Sequence, residues 1–266
     1  MKFALQDNLL RHDGNYHEAF NTARDLGFAG MEINVVGKAL DAESAREINS
    51  AAKTSGLPVT AICGGYRHWI GHFDEAKRLE AIEDLRITFR AASDLGAQGV
   101  IAPAAFGMFS LRLPPFNPPR NSDGDRAALL DSLTRIAEFT EQYQVDLLLE
   151  PLNRYEDHMI NTVEQAVSLI EAVGSPRIRV MADFFHMNVE EKSLSETIAA
   201  HIQHIGYFHL ADSNRLEPGT GHTDFATSFQ LLKQLDYAGY LSLECRLQGG
   251  IEESLLQTLS FLRNLS

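Results

Sequence analysis

Four apolar runs in the second half of the chain each end on a side chain that can bind a metal: VDLLLE on Glu150, IRVMAD on Asp183, IGYFH on His209 and YLSLE on Glu244. A carboxylate that follows LLL or VMA on a buried segment is costly unless a cation, a hydrogen-bond network or a proton compensates it. Any one of the four could be a structural acid or a helix cap. Together, three carboxylates and one imidazole make an oxygen-rich site for a hard to borderline divalent ion, which also relieves the repulsion among the acids.

The residues that follow each ligand suit a polyhydroxylated substrate. PLNRYE supplies Arg154 and Glu156, FFH supplies His186, and LADSNR supplies Asp212 and Arg215. His186 and Arg215 can stabilise negative charge on a developing enediolate oxygen. The plainer readings are a helix-start residue for His186 and a surface ion pair for Arg215. Arg154 reads as a clamp on a neighbouring loop, and EPGTGHTDF (217–225), which contains His222, as loop structure.

Residues far apart in sequence converge only if the elements carrying them repeat in register. β-type runs at 2–5, 28–35, 58–64, 97–104, 145–151, 178–183, 205–211 and 240–245 alternate with amphipathic stretches. Ile82, Leu85, Phe89, Ala92 and Leu95 share one helix face, as do Leu129, Leu133, Ile136 and Phe139. Asp123 and Asp125 precede the second of these helices, and Gly56, Gly96, Gly174 and Gly239 mark expected helix ends. Eight βα units predict one closed (β/α)8 barrel over residues 1–266, whose strand ends ring a single mouth. A doubly wound open sheet shares the alternation but usually carries a GxGxxG turn, which this sequence lacks. The run LRLPPFNPPRNSDGDR (111–126), with four prolines, excludes helix and strand and is expected to be a substrate lid, an oligomer contact or a surface excursion.

Composition narrows the partners. Hydrophobic residues make up 44% and charged residues 22%, an ordinary globular balance. The apolar run in MKFALQDNLLRHDG is too short for a signal-peptide core, and no stretch of about 20 apolar residues occurs, so a cytoplasmic protein without a membrane span is expected. A formal charge of −13 disfavours nucleic acid and polyphosphate partners. Cys63 and Cys245 form no CxxC pair and read as two buried strand thiols, so the 10 histidines and the acids are the natural ligands, for Mn, Mg, Co or Zn.

EPLNRYE (150–156), ADFFH (182–186), HLADSNR (209–215) and LEC (243–245) resemble the metal and substrate motifs of the xylose-isomerase-like barrel superfamily. Within it the likeness is to the sugar 3-epimerases of the D-tagatose and D-psicose type, with hydroxypyruvate isomerase a close relative. The finer wording looks closest to keto-sugar-acid epimerases of the 5-keto-L-gluconate type. Arg246, Leu247 and Gln248 depart from that subgroup, which tends to have a proline-rich turn there, and CGGYRHW (63–69) and AAFGMF (104–109) show no comparable match.

The resemblance implies that Glu150, Asp183, His209 and Glu244 bind one divalent ion, manganese first and cobalt or magnesium also. It implies that Glu150 and Glu244 are the acid/base pair, that Glu156, His186 and Arg215 contact substrate, and that the chain forms a homodimer or homotetramer. The expected reaction is C3 epimerisation of a ketose or keto-sugar acid through a cis-enediolate, one glutamate removing the proton and the other returning it to the opposite face. C1–C2 isomerisation needs the same parts with the substrate shifted by one carbon. A dehydratase, an abasic-site endonuclease relative and a non-catalytic sugar-binding barrel are the rivals.

Overall fold

The computed structural model describes residues 1–10 and 15–266; residues 11–14, the end of the N-terminal stretch considered above, lie outside the described residues. Eight strands run β1 Lys2–Gln6, β2 Gly30–Ala39, β3 Val59–Gly65, β4 Gly99–Pro103, β5 Asp146–Glu150, β6 Ile178–Asp183, β7 Ile205–Leu210 and β8 Tyr240–Leu243. They pair in sequence order, all parallel, and β1 closes on β8 through Ala4↔Ser242 and Leu5↔Leu243. The closed order replaces the open-sheet alternative. Among the described residues no helix is long and apolar enough to cross a membrane.

Helices α1 Tyr16–Leu26, α2 Ala42–Ser55, α3 Glu75–Leu95, α4 Ser122–Tyr143, α5 Val163–Val173, α6 Phe184–Glu190, α7 Leu194–His201, α8 Phe225–Gln234 and α9 Ile251–Leu265 connect the strands and follow the last one. Their starts are chemically marked. Asn15, Asp41, Asp74, Asn121 and Thr162 are N-caps whose side chains accept a backbone N–H of the first turn. Gly56, Gly96 and Gly174 end helices in the left-handed conformation, as expected. Gly239 does not: α8 stops at Gln234 with Leu235 as its C-cap, and Gly239 lies in the short approach to β8.

The 111–126 segment is irregular only as far as its helix cap. Asn121 accepts from the Gly124 N–H, and Asp123 and Asp125 occupy the first turn of α4, where carboxylates favour the positive end of the helix dipole. NSDGD therefore starts a helix although its composition resembles a turn. The thiols also differ from expectation in part: Cys63 is buried in β3, but Cys245 follows the end of β8 and is only partly buried.

Two apolar layers position the site. The larger, between strands and helices, includes Ile82, Leu85, Phe89 and Ala92 of α3 and Leu129, Leu133 and Ile136 of α4, with Leu95 and Phe139 partly buried against it. The smaller fills the barrel with Ala61, Cys63, Ile101, Leu148, Met181 and Tyr207. Because side chains alternate along a strand, the residue two positions further on shares its face. Two beyond Leu148, Met181 and Tyr207 come Glu150, Asp183 and His209, a polar layer at the carboxyl mouth directly above the apolar plug.

A candidate metal and acid–base centre

The four strand-end residues meet. One ligand atom from each of Glu150, Asp183, His209 and Glu244 lies within 4.8 Å of all the others. Asp183 and His209 are register partners on β6 and β7, and Glu244 immediately follows β8, its N–H donating to the Leu210 carbonyl. His209 Nδ1 is 3.1 Å from Glu244 Oε2, 3.9 Å from Glu150 Oε1 and 4.0 Å from Asp183 Oδ2.

The donor set fits a divalent cation. His209 Nε2 lies 2.9 Å from a Glu32 carboxylate oxygen, which as an anion can only accept, so Nε2 carries the hydrogen. The Nδ1 lone pair then faces three carboxylates, buried and without a hydrogen-bond partner among the described residues. A lone pair directed at carboxylate oxygens is repulsive unless a cation or a proton lies between them. Burial acts to lower the His209 pKa, but Glu32 and Glu244 outweigh it and raise it well above the ordinary value. A metal competes with that proton for the same lone pair.

The two glutamates differ in surroundings. Burial, reinforced by the charge of Glu244, pushes the Glu150 carboxyl well above the usual carboxylate range. Burial acts upward on Glu244 too, yet His209 and Arg215 carry it well below that range. Glu244 also accepts a 2.8 Å hydrogen bond from Gln6 Nε2.

The expected substrate contacts lie around this cluster. His186 is buried on α6, and its Nδ1 accepts from the Asn153 backbone N–H at 3.1 Å, which leaves Nε2 as the N–H. That Nε2 is 3.8 Å from carboxylate oxygens of Glu150, Asp183 and Glu156, with burial lowering the imidazole pKa. Arg215 is placed differently from a surface ion pair: its guanidinium bonds Asp183 at 2.5 Å and also Glu244, and it stacks 4.8 Å over Phe185. Its backbone is left-handed, φ 60°, held by Arg215 N–H to Asp212 O and Arg246 N–H to Arg215 O.

Asp212 collects backbone N–H groups from Ser213, Gly219 and Thr223, so it organises the 212–223 loop rather than facing the cluster. A Cβ at Gly221 would meet Asp212 Oδ1 at 2.4 Å, so a larger residue there would have to displace the carboxylate from these N–H groups. His222 bonds Ser213 within that loop. Arg154 clamps Glu190 at the end of α6, as expected.

Two inner residues escaped the sequence reading. Gln6 Nε2 also donates to Glu32 Oε1 at 2.8 Å, and its carbonyl oxygen accepts from Asn34. Both had a signal: Gln6 ends the apolar run FAL, and Glu32 lies between the fully buried Met31 and Ile33. A cavity of about 350 Å³ opens above the centre and includes Glu150, Glu156, His186, Arg215 and Glu244 in its lining.

Fold and site together define a parallel eight-stranded barrel with a buried carboxylate and histidine cluster at its carboxyl mouth, one able to hold a divalent metal. The chain belongs to the xylose isomerase-like TIM barrel family, whose model matches residues 20–265. The likeness therefore reaches well into the first half. The chain is 39% identical over 234 residues, 88% of either chain, to the 3-dehydro-D-guloside 4-epimerase of Escherichia coli K12. It is 34% identical over 145 residues to the D-psicose 3-epimerase of Enterocloster bolteae, covering 54% of this chain and 48% of that one. The crystal structure of an E. coli 3-keto-D-glucoside 4-epimerase superposes with a TM-score of 0.94, 37% identity and 99% coverage of both chains. The enzyme is an isomerase of the racemase and epimerase class.

Proposed function

We propose that this enzyme inverts the carbon beside the carbonyl of a keto-sugar, and that its substrate is a keto-glycoside with the carbonyl at C3 and the inverted centre at C4. The observation that carries the reading is that Glu150, at the end of β5, and Glu244, just after β8, each bring a carboxylate oxygen to the same buried four-residue cluster although β6 and β7 separate their strands. Inversion needs this arrangement: one carboxylate takes the proton from one face and the other carboxyl returns one to the opposite face.

The cluster of Glu150, Asp183, His209 and Glu244 would hold the cation, its three oxygens and one nitrogen suiting a hard to borderline divalent ion; by the family resemblance manganese is the first candidate, with cobalt or magnesium as others. When bound, a divalent ion polarises the carbonyl and acidifies the neighbouring C–H. His186 Nε2–H donates to a substrate oxygen that gains charge in the enediolate, and Glu156 accepts from a hydroxyl. Arg215, which bonds Asp183 and Glu244 at the rim of the cluster, would supply positive charge beside the same oxygen.

C3 inversion of a free ketose or keto-sugar acid is the same proton transfer with the carbonyl at C2. The 4-epimerase similarity spans 88% of this chain and the D-psicose 3-epimerase similarity 54%, which supports the glycoside. Proton NMR in heavy water, with the metal-loaded enzyme, tests the choice on methyl 3-keto-glucoside and on a panel of free ketoses and keto-aldonic acids. Deuterium entering C4 of the keto-glycoside with inversion is the expected result. Exchange confined to C3 of free ketoses would replace it.

A further inference from the structure

The cavity above the acid–base centre does not end at a monosaccharide-sized polar pocket. Tyr66 and Trp69 meet edge to face with centroids 5.6 Å apart, and Trp69 meets Phe106 the same way at 6.0 Å. All three line the same cavity as Glu150 and Glu244. The series runs outward: Tyr66 is buried, Trp69 half-buried and Phe106 49% exposed, with Val36, also 49% exposed, lining the same cavity. The remaining lining includes Asn8 and Arg246, both exposed, and Arg246 has no ion-pair partner among the described residues. An apolar aromatic wall together with free amide and guanidinium groups matches a ring that has an apolar face and polar edges.

From this we infer that Trp69, Phe106 and Val36 form an outer subsite for a cyclic aglycone, a second pyranose or an aryl ring. The enzyme is therefore selective for keto-glycosides that carry a ring beyond the reacting sugar. This rests on the keto-glycoside reading above. A methyl glycoside fills the inner site and leaves the ledge uncovered. A ring aglycone covers it and removes exposed aromatic surface from water.

Trp69 is the sole tryptophan of the chain, so its fluorescence reports on this ledge without turnover. The experiment titrates the metal-loaded enzyme with the unreactive methyl glucoside, phenyl glucoside and a glucosyl disaccharide, following Trp69 emission, with calorimetry as a second readout. The expected result is a change in emission with phenyl or disaccharide ligands and an affinity about tenfold above that of the methyl glycoside, the upper range of an aromatic contact. Tightening by the phenyl ligand alone identifies an aryl source, and by the disaccharide alone a sugar. Phe106→Ala, at a solvent-facing position, lowers affinity for the phenyl and disaccharide ligands by more than it lowers that for methyl glucoside, and so removes most of that preference. Equal affinities for all three ligands, or an equal loss for all in Phe106→Ala, overturn the subsite while the keto-glycoside reading stands. Absence of binding by the phenyl and disaccharide ligands likewise overturns the subsite, whereas the keto-glycoside reading falls only if the heavy-water exchange above shows no deuterium at C4 of the keto-glycoside.

Discussion

His209 Nε2 and the Glu32 carboxylate face each other at 2.9 Å inside the barrel, both side chains fully buried. The bond fixes which imidazole nitrogen carries hydrogen and turns the other toward the three acids. Glu32 also accepts from Gln6, so it must receive two donors. A glutamine there has one acceptor oxygen and presents its own N–H₂ to one of those donors. Glu32→Gln is expected to weaken divalent-metal binding by about 10- to 100-fold, the usual effect of losing such an outer partner. Competition against a chromophoric chelator measures it, and unaltered affinity would show that Glu32 does not orient the ligand.

Three clustered carboxylates repel one another, so an ion bound only in the fold should stabilise it. At a hundredfold excess over its Kd, a metal adds about 2.7 kcal/mol. For a chain of this size that corresponds to a melting-temperature rise of roughly 5–10 °C. Calorimetry before and after chelation, then after manganese is restored, tests this. Superimposable traces would dismiss the cluster as a metal site.

Glu150→Gln and Glu244→Gln keep the side-chain shape and remove the proton-transfer group. Each is expected to lower epimerisation by about 10²- to 10⁴-fold. Solvent-deuterium incorporation at the inverted carbon distinguishes one base from two: with two, either variant blocks passage of label between the epimers. Normal incorporation with normal inversion in Glu244→Gln would refute a two-base mechanism.

Asp157, in the loop after β5, is almost fully buried and accepts the backbone N–H groups of His158 and Ile160. Burial pushes its carboxyl from 3.8 up to about 7. Below pH 4 the group is neutral in both folded and unfolded chains. Between about 4 and about 7 only the unfolded chain ionises, so stability falls as pH rises, by about 4 kcal/mol in all, and then levels off. Asp157→Asn does not titrate. Urea denaturation of the metal-free proteins should therefore show the variant losing less stability between pH 5 and pH 8 than the parent, and parallel pH profiles would contradict the assignment.

Much of this molecule was legible in the sequence because strand and helix periods are local. A ligand closing each apolar run, at Glu150, Asp183, His209 and Glu244, needs only the alternation of a strand and the geometry of a barrel mouth to become a cluster. The start of α4 was misread for an equally local reason: Asn, Ser, Asp and Gly favour turns and helix caps alike, and only the Asn121 to Gly124 hydrogen bond separates the two.

What the sequence alone determined was the fold class and the four residues of the candidate metal site, since both follow from residue types at a repeating spacing. The tertiary structure decided which buried polar residues serve that set. Glu32 and His209 are 177 positions apart and Gln6 and Glu244 are 238 apart. Their bonds exist only because β1 closes on β8 in one register, and a shift of one residue would turn Gln6 to the opposite face. Arg215 depends on the neighbouring strands instead: a left-handed backbone in the loop after β7 brings its guanidinium across the carboxylates of Asp183 on β6 and Glu244 after β8, a relation no local pattern encodes.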